Sequence, residues 1–253
     1  MTSNSASVRF GLKNFSATGC ALAKNDMALF FMEKVMGIRG SVGCAAHRGS
    51  ASEHGVAMGL QDHSVSVEAC QDAALKEFDR LSALSTDPNR DKERAAVPGI
   101  VEHGLAELRQ YGVPSHVQER IEWQHPDLPL PFVGYIDFKF ADHKIVVDMK
   151  SQLRLSSEIS GSHAAQVALY CKAQSEPYEG RVAYITNKKA AVYRVENPEQ
   201  HVEALVKIAQ KIEAFLSLAQ TKEELIRVLI PSTDLFYYND PATRQKAFEI
   251  FGI

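Results

Sequence analysis

Cysteine is scarce and scattered in this sequence. Cys20, Cys44, Cys70 and Cys171 form no Cys-x-x-Cys pair, which argues against a disulfide framework and against a zinc site and leaves four reduced thiols. Long apolar runs are missing as well. None approaches the roughly 18 residues that cross a bilayer, and the polar start MTSNSASVRF has no signal-peptide core, so the expectation is an intracellular chain with no membrane partner. Nor is there a basic excess: 28 Lys and Arg face 31 Asp and Glu, a formal net charge of −3, which is not the signature of a general nucleic-acid binder. The distribution is uneven, because residues 131–195 carry nine Lys and Arg against six Asp and Glu, leaving 19 against 25 elsewhere. Repeats and low-complexity tracts are absent too. At 253 residues, 45% hydrophobic and 23% charged, the chain can bury a sizeable core, and a single α/β domain is expected.

What is present centres on PFVGYIDFKFADHKIVVDMK, residues 131–150. Val133 to Phe140 and Lys144 to Met149 are rich in β-branched and aromatic residues and flank a turn at Ala141, Asp142 and His143, which reads as a β-hairpin. Asp137 then lies within the first strand and Asp148 near the end of the second. Residues two apart share a face of a strand, so Asp148 and Lys150 project together while Met149 points into the core. Ile145, Val146 and Val147 make the continuous apolar run of a strand covered on both faces. A carboxylate and an ammonium at the mouth of such a strand indicate a site rather than a stabilising pair. Two carboxylates suit a hard divalent cation such as Mg²⁺ or Mn²⁺, and the lysine suits a role on water or phosphate.

Gly134-Tyr135-Ile136-Asp137, ten residues, and then Asp148-Met149-Lys150 resembles the catalytic core of the PD-(D/E)XK nuclease superfamily, in its RecB-like and phage lambda-exonuclease-like branch. That branch adds Arg-Gly-x-x-x-(His/Glu) upstream and Gln-x-x-x-Tyr downstream. Arg48 to Glu53 (RGSASE) and Gln166 to Tyr170 (QVALY) fill the two patterns in order. The resemblance covers roughly residues 15–195. It implies a central mixed β-sheet flanked by helices, a restriction-endonuclease-like core over about residues 40–195, with additional N- and C-terminal helices, the latter over about 196–253. It also implies a metal-dependent DNA nuclease, most simply an exonuclease of recombination, repair or phage DNA processing. One or two Mg²⁺ or Mn²⁺ ions would be held by Glu53, Asp137, Asp148 and the Met149 carbonyl, with Lys150 and Gln166 beside the chemistry. Arg48, Gln166, Tyr170 and Lys188 would meet the substrate. DNA is then the partner, a recombination protein and a second copy of the chain are further candidates, and the compartment is the cytoplasm, that of the host for a viral source. An iron–sulfur cluster, which some RecB-like nucleases hold through three late cysteines, is not expected because none follows Cys171. The alternative is a catalytically weak nucleic-acid-binding protein on a nuclease scaffold.

The rest of the chain gives supporting expectations. Residues 1–14 read as a flexible or loosely docked start, and Ser16 to Met36 as one helix stopped at Gly37. Glu53 falls on a short helix begun by Ser50 or Ser52, with His54 about 100° around it, so only one of the two faces a metal. Ser64 to Leu84 and Asp91 to Tyr111 are amphipathic helices, the second open to interruption at Pro98-Gly99. His116 to Gln124 alternates as a strand with Glu119 breaking the apolar face, either as an added acid of the site or as a salt-bridge partner. His163 sits one turn before Gln166 and could line the same groove. A second hairpin joins Arg181 to Thr186 with Ala190 to Val195, and Lys188 in its turn either follows a phosphate backbone or keeps a sheet edge soluble. A long amphipathic helix follows from Pro198, and the tail either docks or serves contacts between copies.

Overall fold

The computed structural model describes residues 5–253. The helices are α1 (Ala6–Arg9), α2 (Ala17–Asn25), α3 (Met27–Phe30), α4 (Cys44–Gln61), α5 (Val67–Leu81) and α6 (Arg90–Leu108) before the sheet, α7 (Gly161–Lys172) within it, and α8 (Pro198–Ser217), α9 (Lys222–Ile226) and α10 (Pro241–Phe251) after it. The strands are β1 (His116–Trp123), β2 (Phe132–Phe140), β3 (Ile145–Ser151), β4 (Glu179–Ile185) and β5 (Ala190–Arg194), in the spatial order β1-β2-β3-β4-β5. β2 and β3 form the expected antiparallel hairpin, β3 and β4 run parallel through α7, and β4 returns antiparallel to β5. The fold is therefore α/β with a mixed sheet. Among the described residues no helix is long and apolar enough to cross a membrane.

The chain packs as two compact units, residues 42–121 with 135–197, and residues 1–41 with 122–134 and 198–253. In the unit that carries most of the sheet, α4, α5 and α6 pack on one another, and the strand residues Phe138, Phe140, Ile145, Val147 and Met149 join Val56, Leu60, Phe78, Ile100 and Leu105 in one buried cluster. Strand alternation therefore commits the odd-numbered residues of β3 to the helical layer. Val146, Asp148 and Lys150 are left on the opposite face.

Three helical expectations change. Glu53 lies on an 18-residue helix that starts at Cys44, not at Ser50 or Ser52. Its cap is remote: the Asp87 carboxylate accepts the Cys44 N–H at 2.9 Å, so no local signal marked the start. The segment from Ser16 to Met36 is not one helix, because Asp26 ends α2 and caps α3 by accepting the Leu29 N–H at 3.0 Å, the local competition that aspartate offers the helix ladder. Pro98 and Gly99 do not interrupt α6. Val97, Ile100 and Val101 are fully buried, which offsets the roughly 3 kcal/mol that an interior proline costs. Gly99 is needed for a different reason. A Cβ there would stand 2.5 Å from the Asn187 carbonyl oxygen in the β4–β5 turn, and backbone cannot swing aside as a side chain can. Gly99→Ala should lose about 1–3 kcal/mol to overpacking, more than the ~1 kcal/mol helix propensity it gains. A melting temperature a few degrees lower in calorimetry would show this.

In the other unit the start of the chain, from Ser5 on, takes the docked alternative. Both Ala6 and Ser7 give their N–H to the Glu213 carboxylate, at 2.6 and 2.9 Å, and the Ser7 hydroxyl joins them. The tail docks too: Ser232 N–H and the Tyr238 hydroxyl both donate to Asp26 Oδ2 at 2.8 Å. Residues 1–4 lie outside the described residues.

Candidate active site

Pairing between β2 and β3 ends at Phe138↔Val147, and the next residue on each strand is an aspartate. Beyond that rung the Met149 N–H donates to Asp137 Oδ2 at 2.8 Å. The carboxylate thus takes up a strand donor where the ladder stops. Asp148 is completely buried. Lys150, two residues on and so on the same face, sets its Nζ 3.1 Å from Asp148 Oδ1 and 2.8 Å from Oδ2. Only the first contact has hydrogen-bond geometry, and Oδ2 stays buried without a directed partner. The lysine side chain keeps 25% exposure, which places the ammonium at the mouth of the strand.

Glu53 arrives from α4. It meets Asp137 through a residue that the sequence did not single out: Gln118 on β1 donates from Nε2 to Glu53 Oε1 and, at 3.2 Å, to Asp137 Oδ1. On α7, Ser160 caps the helix by accepting the His163 N–H, and Gln166 and Tyr170, one turn apart, share a face. Gln166 Nε2 donates to the Tyr170 hydroxyl at 2.6 Å. The Tyr184 hydroxyl accepts the Ser160 N–H at 3.1 Å and shares a hydrogen bond of 2.7 Å with His163 Nδ1.

The charges respond to this crowding. Burial first, then the neighbouring carboxylates Asp148 and Glu53, push Asp137 well above the ordinary carboxyl range. Burial also raises Asp148, against the opposing pull of Lys150, and it raises Glu53, against its bond from Gln118. Burial works to lower Lys150, yet Asp148, Asp137 and Glu53 outweigh it, and the ammonium is held above its usual value. Burial and then Lys150 push His163 down to about 4, leaving a neutral ring at pH 7. Burial, with Asp148 next, raises the Tyr170 phenol. The region therefore holds more buried negative charge than one lysine neutralises.

That excess has a measurable sign. A carboxyl whose folded value lies above its unfolded one holds its proton more tightly in the folded chain, so its contribution is full below the ordinary carboxyl value and is lost as pH rises through the raised one. Asp137→Asn removes that dependence. In chelator, the melting temperature of Asp137→Asn should gain on that of the unaltered chain as pH rises above the ordinary carboxyl range. A gap that does not change with pH would show that Asp137 is not raised.

Carboxylate oxygens are the donor type that a hard divalent cation takes. Glu53, Asp137 and Asp148 would supply oxygen ligands, although Asp148 Oδ2, buried without a directed hydrogen bond, already lies 2.8 Å from the Lys150 ammonium. Among the described residues no three His, Cys, Asp or Glu side chains stand in a ready-made metal cluster. The Gln118 amide lies against Glu53 and Asp137, and the Lys150 ammonium lies on Asp148.

The remaining sequence-derived residues are placed as follows. Arg48 is buried, with its guanidinium on Glu93 and on Ser151, at 3.3 Å to the hydroxyl and 3.0 Å to the carbonyl; it clamps α4 to α6 and to the end of β3 and offers little to a substrate. His54 is exposed one residue past Glu53 and acts electrostatically on Glu77. Glu119 pairs with Lys139 at 3.1 Å, the salt-bridge alternative. Met149 buries its side chain in the core while its N–H holds Asp137. Lys188 lies in the turn after β4, with its side chain exposed. Gln118 and Tyr184 were missed. Gln118 reads in sequence as one of three polar residues on the outer face of β1, and nothing local announces where its amide goes. No family model matches the chain, and no curated protein matches it.

Proposed function

We propose that the chain is a divalent-cation-dependent DNA nuclease with a PD-(D/E)XK core, acting as an exonuclease in recombination, repair or phage DNA processing. The supporting observation is a chain of contacts: Gln118 joins Glu53 on α4 to Asp137 on β2, Asp137 takes the Met149 N–H of β3, and Asp148 and Lys150 pair on either side of Met149. The order of acids, lysine and the Gln166/Tyr170 pair is that of the resembled family.

Asp137, Asp148 and Glu53 would hold Mg²⁺ or Mn²⁺. When bound, such a cation polarises a phosphoryl oxygen and lowers the pKa of a water. Lys150, held protonated by its acidic neighbours, acts as a donor: it orients the attacking water or stabilises charge on the phosphate, and it does not abstract the proton. Tyr170, likewise held protonated, keeps a hydroxyl for phosphate, and Gln166 fixes its direction. The basic excess of residues 131–195 puts favourable charge on the same part of the chain that carries the acids.

End-labelled linear duplex and closed circular DNA, incubated with graded Mg²⁺ and with chelator, test this reading. Cation-dependent shortening of the linear DNA, with circles left intact, is expected. DNA that is retarded on a gel but never shortened would favour the binding-only alternative. Cleavage of a chromogenic phosphate ester with DNA untouched would favour a small-molecule phosphatase.

A further inference from the structure

Gln118 has the least ordinary backbone of the site. Among the described residues three non-glycine positions have positive φ: Lys144 closes the β2–β3 turn, Asn197 immediately precedes α8, and Gln118, at φ 54°, stands inside strand β1. Left-handed backbone suits glycine and is sparsely populated by other residues, and where it persists in a strand it re-aims a side chain. The faces of the strand switch around it: Val117 packs against the cluster that holds Phe138 and Phe140, whereas Glu119 pairs with Lys139 on the other face, so Gln118 sits at a bulge-like step. The step also aims the Gln118 amide at the carboxylates. That amide donates to Glu53 and Asp137 at once. The nitrogen is the donor end of the amide, and it is the end that faces both carboxyls.

Resting on the nuclease reading, we propose that Gln118 is a positioning residue for the cation, one that no motif of the resembled family supplies. Its amide ties together two like-charged side chains that would otherwise separate, Glu53 on a helix and Asp137 on a strand. Each carboxylate offers about four lone-pair directions, so one bond from Gln118 to each still leaves oxygens for a metal. Groups that orient metal ligands in this way are typically worth about 10–100-fold in metal affinity.

The test is Gln118→Gly, which removes the amide and places at this φ the residue that accepts it without strain. Mn²⁺ titration calorimetry should show affinity about 10–100-fold weaker than in the unaltered chain, while the melting temperature in chelator stays at or above that of the unaltered chain. Unchanged Mn²⁺ affinity overturns the proposal. So does a weaker affinity accompanied by a lower melting temperature in chelator, since the loss would then follow from a loosened fold. The unaltered chain separates the two layers: if it binds no Mn²⁺, the nuclease reading and this inference fall together. If it binds Mn²⁺ and cleaves DNA, and Gln118→Gly binds equally well, only the inference falls.

Discussion

Asp148→Asn should abolish DNA cleavage, by at least about a thousandfold or roughly 4 kcal/mol of transition-state stabilisation, while leaving the chain folded. Asparagine has nearly the shape of aspartate, so the fully buried position keeps its packing. The neutral amide removes a carboxyl that burial already penalises, and Lys150, partly exposed, can turn its ammonium to water. The melting temperature in chelator should therefore be no lower than that of the unaltered chain. What the variant loses is the anionic oxygen that has no directed hydrogen-bond partner. Full cleavage by Asp148→Asn, assayed on linear DNA with Mg²⁺, would remove the residue from the reaction.

Arg48→Ala should do the reverse and act first on stability. Its guanidinium is buried against Glu93, and deleting one partner of a buried pair strands the other charge, a loss of about 3–5 kcal/mol. At about 2–4 °C per kcal/mol for a chain of this size, the melting temperature should fall by roughly 6–20 °C. Replacing both partners with apolar residues of similar volume, Arg48→Met with Glu93→Leu, should recover most of the loss, because the desolvation of two charges disappears with them. An arginine that instead touched the DNA backbone would show an unchanged melting temperature and a shallower salt dependence of DNA binding. The two outcomes separate the substrate role that the Arg-Gly motif implies from the clamp that the packing favours.

The features legible in the sequence were those written locally. The β2–β3 hairpin is announced by β-branched and aromatic residues around a short polar turn, and the shared face of Asp148 and Lys150 by the period of a strand. Gln166 and Tyr170, four apart, meet on one helix face. The features that were not legible depend on partners far along the chain. Asp87 caps α4 from 43 residues away, Glu93 takes Arg48 from 45, and Glu213 anchors the first helix from more than 200. Asp26 looked like one polar residue within a helix, and it is a cap because Ser232 and Tyr238 hold it buried. The left-handed backbone of Gln118 has no compositional signature at all, since glutamine is not a residue that such a conformation favours.

The claim on which the rest depends is that the carboxylates of α4, β2 and β3 converge on one cation. Crystals soaked in Mn²⁺ and measured at a wavelength where manganese scatters anomalously would test it most directly. The expected result is an anomalous peak within coordination distance of Asp137 and Asp148, on the Glu53 side of the strands, that is missing in Asp148→Asn. A Mn²⁺-soaked crystal with no peak there, or with peaks only at surface acids elsewhere, would contradict it.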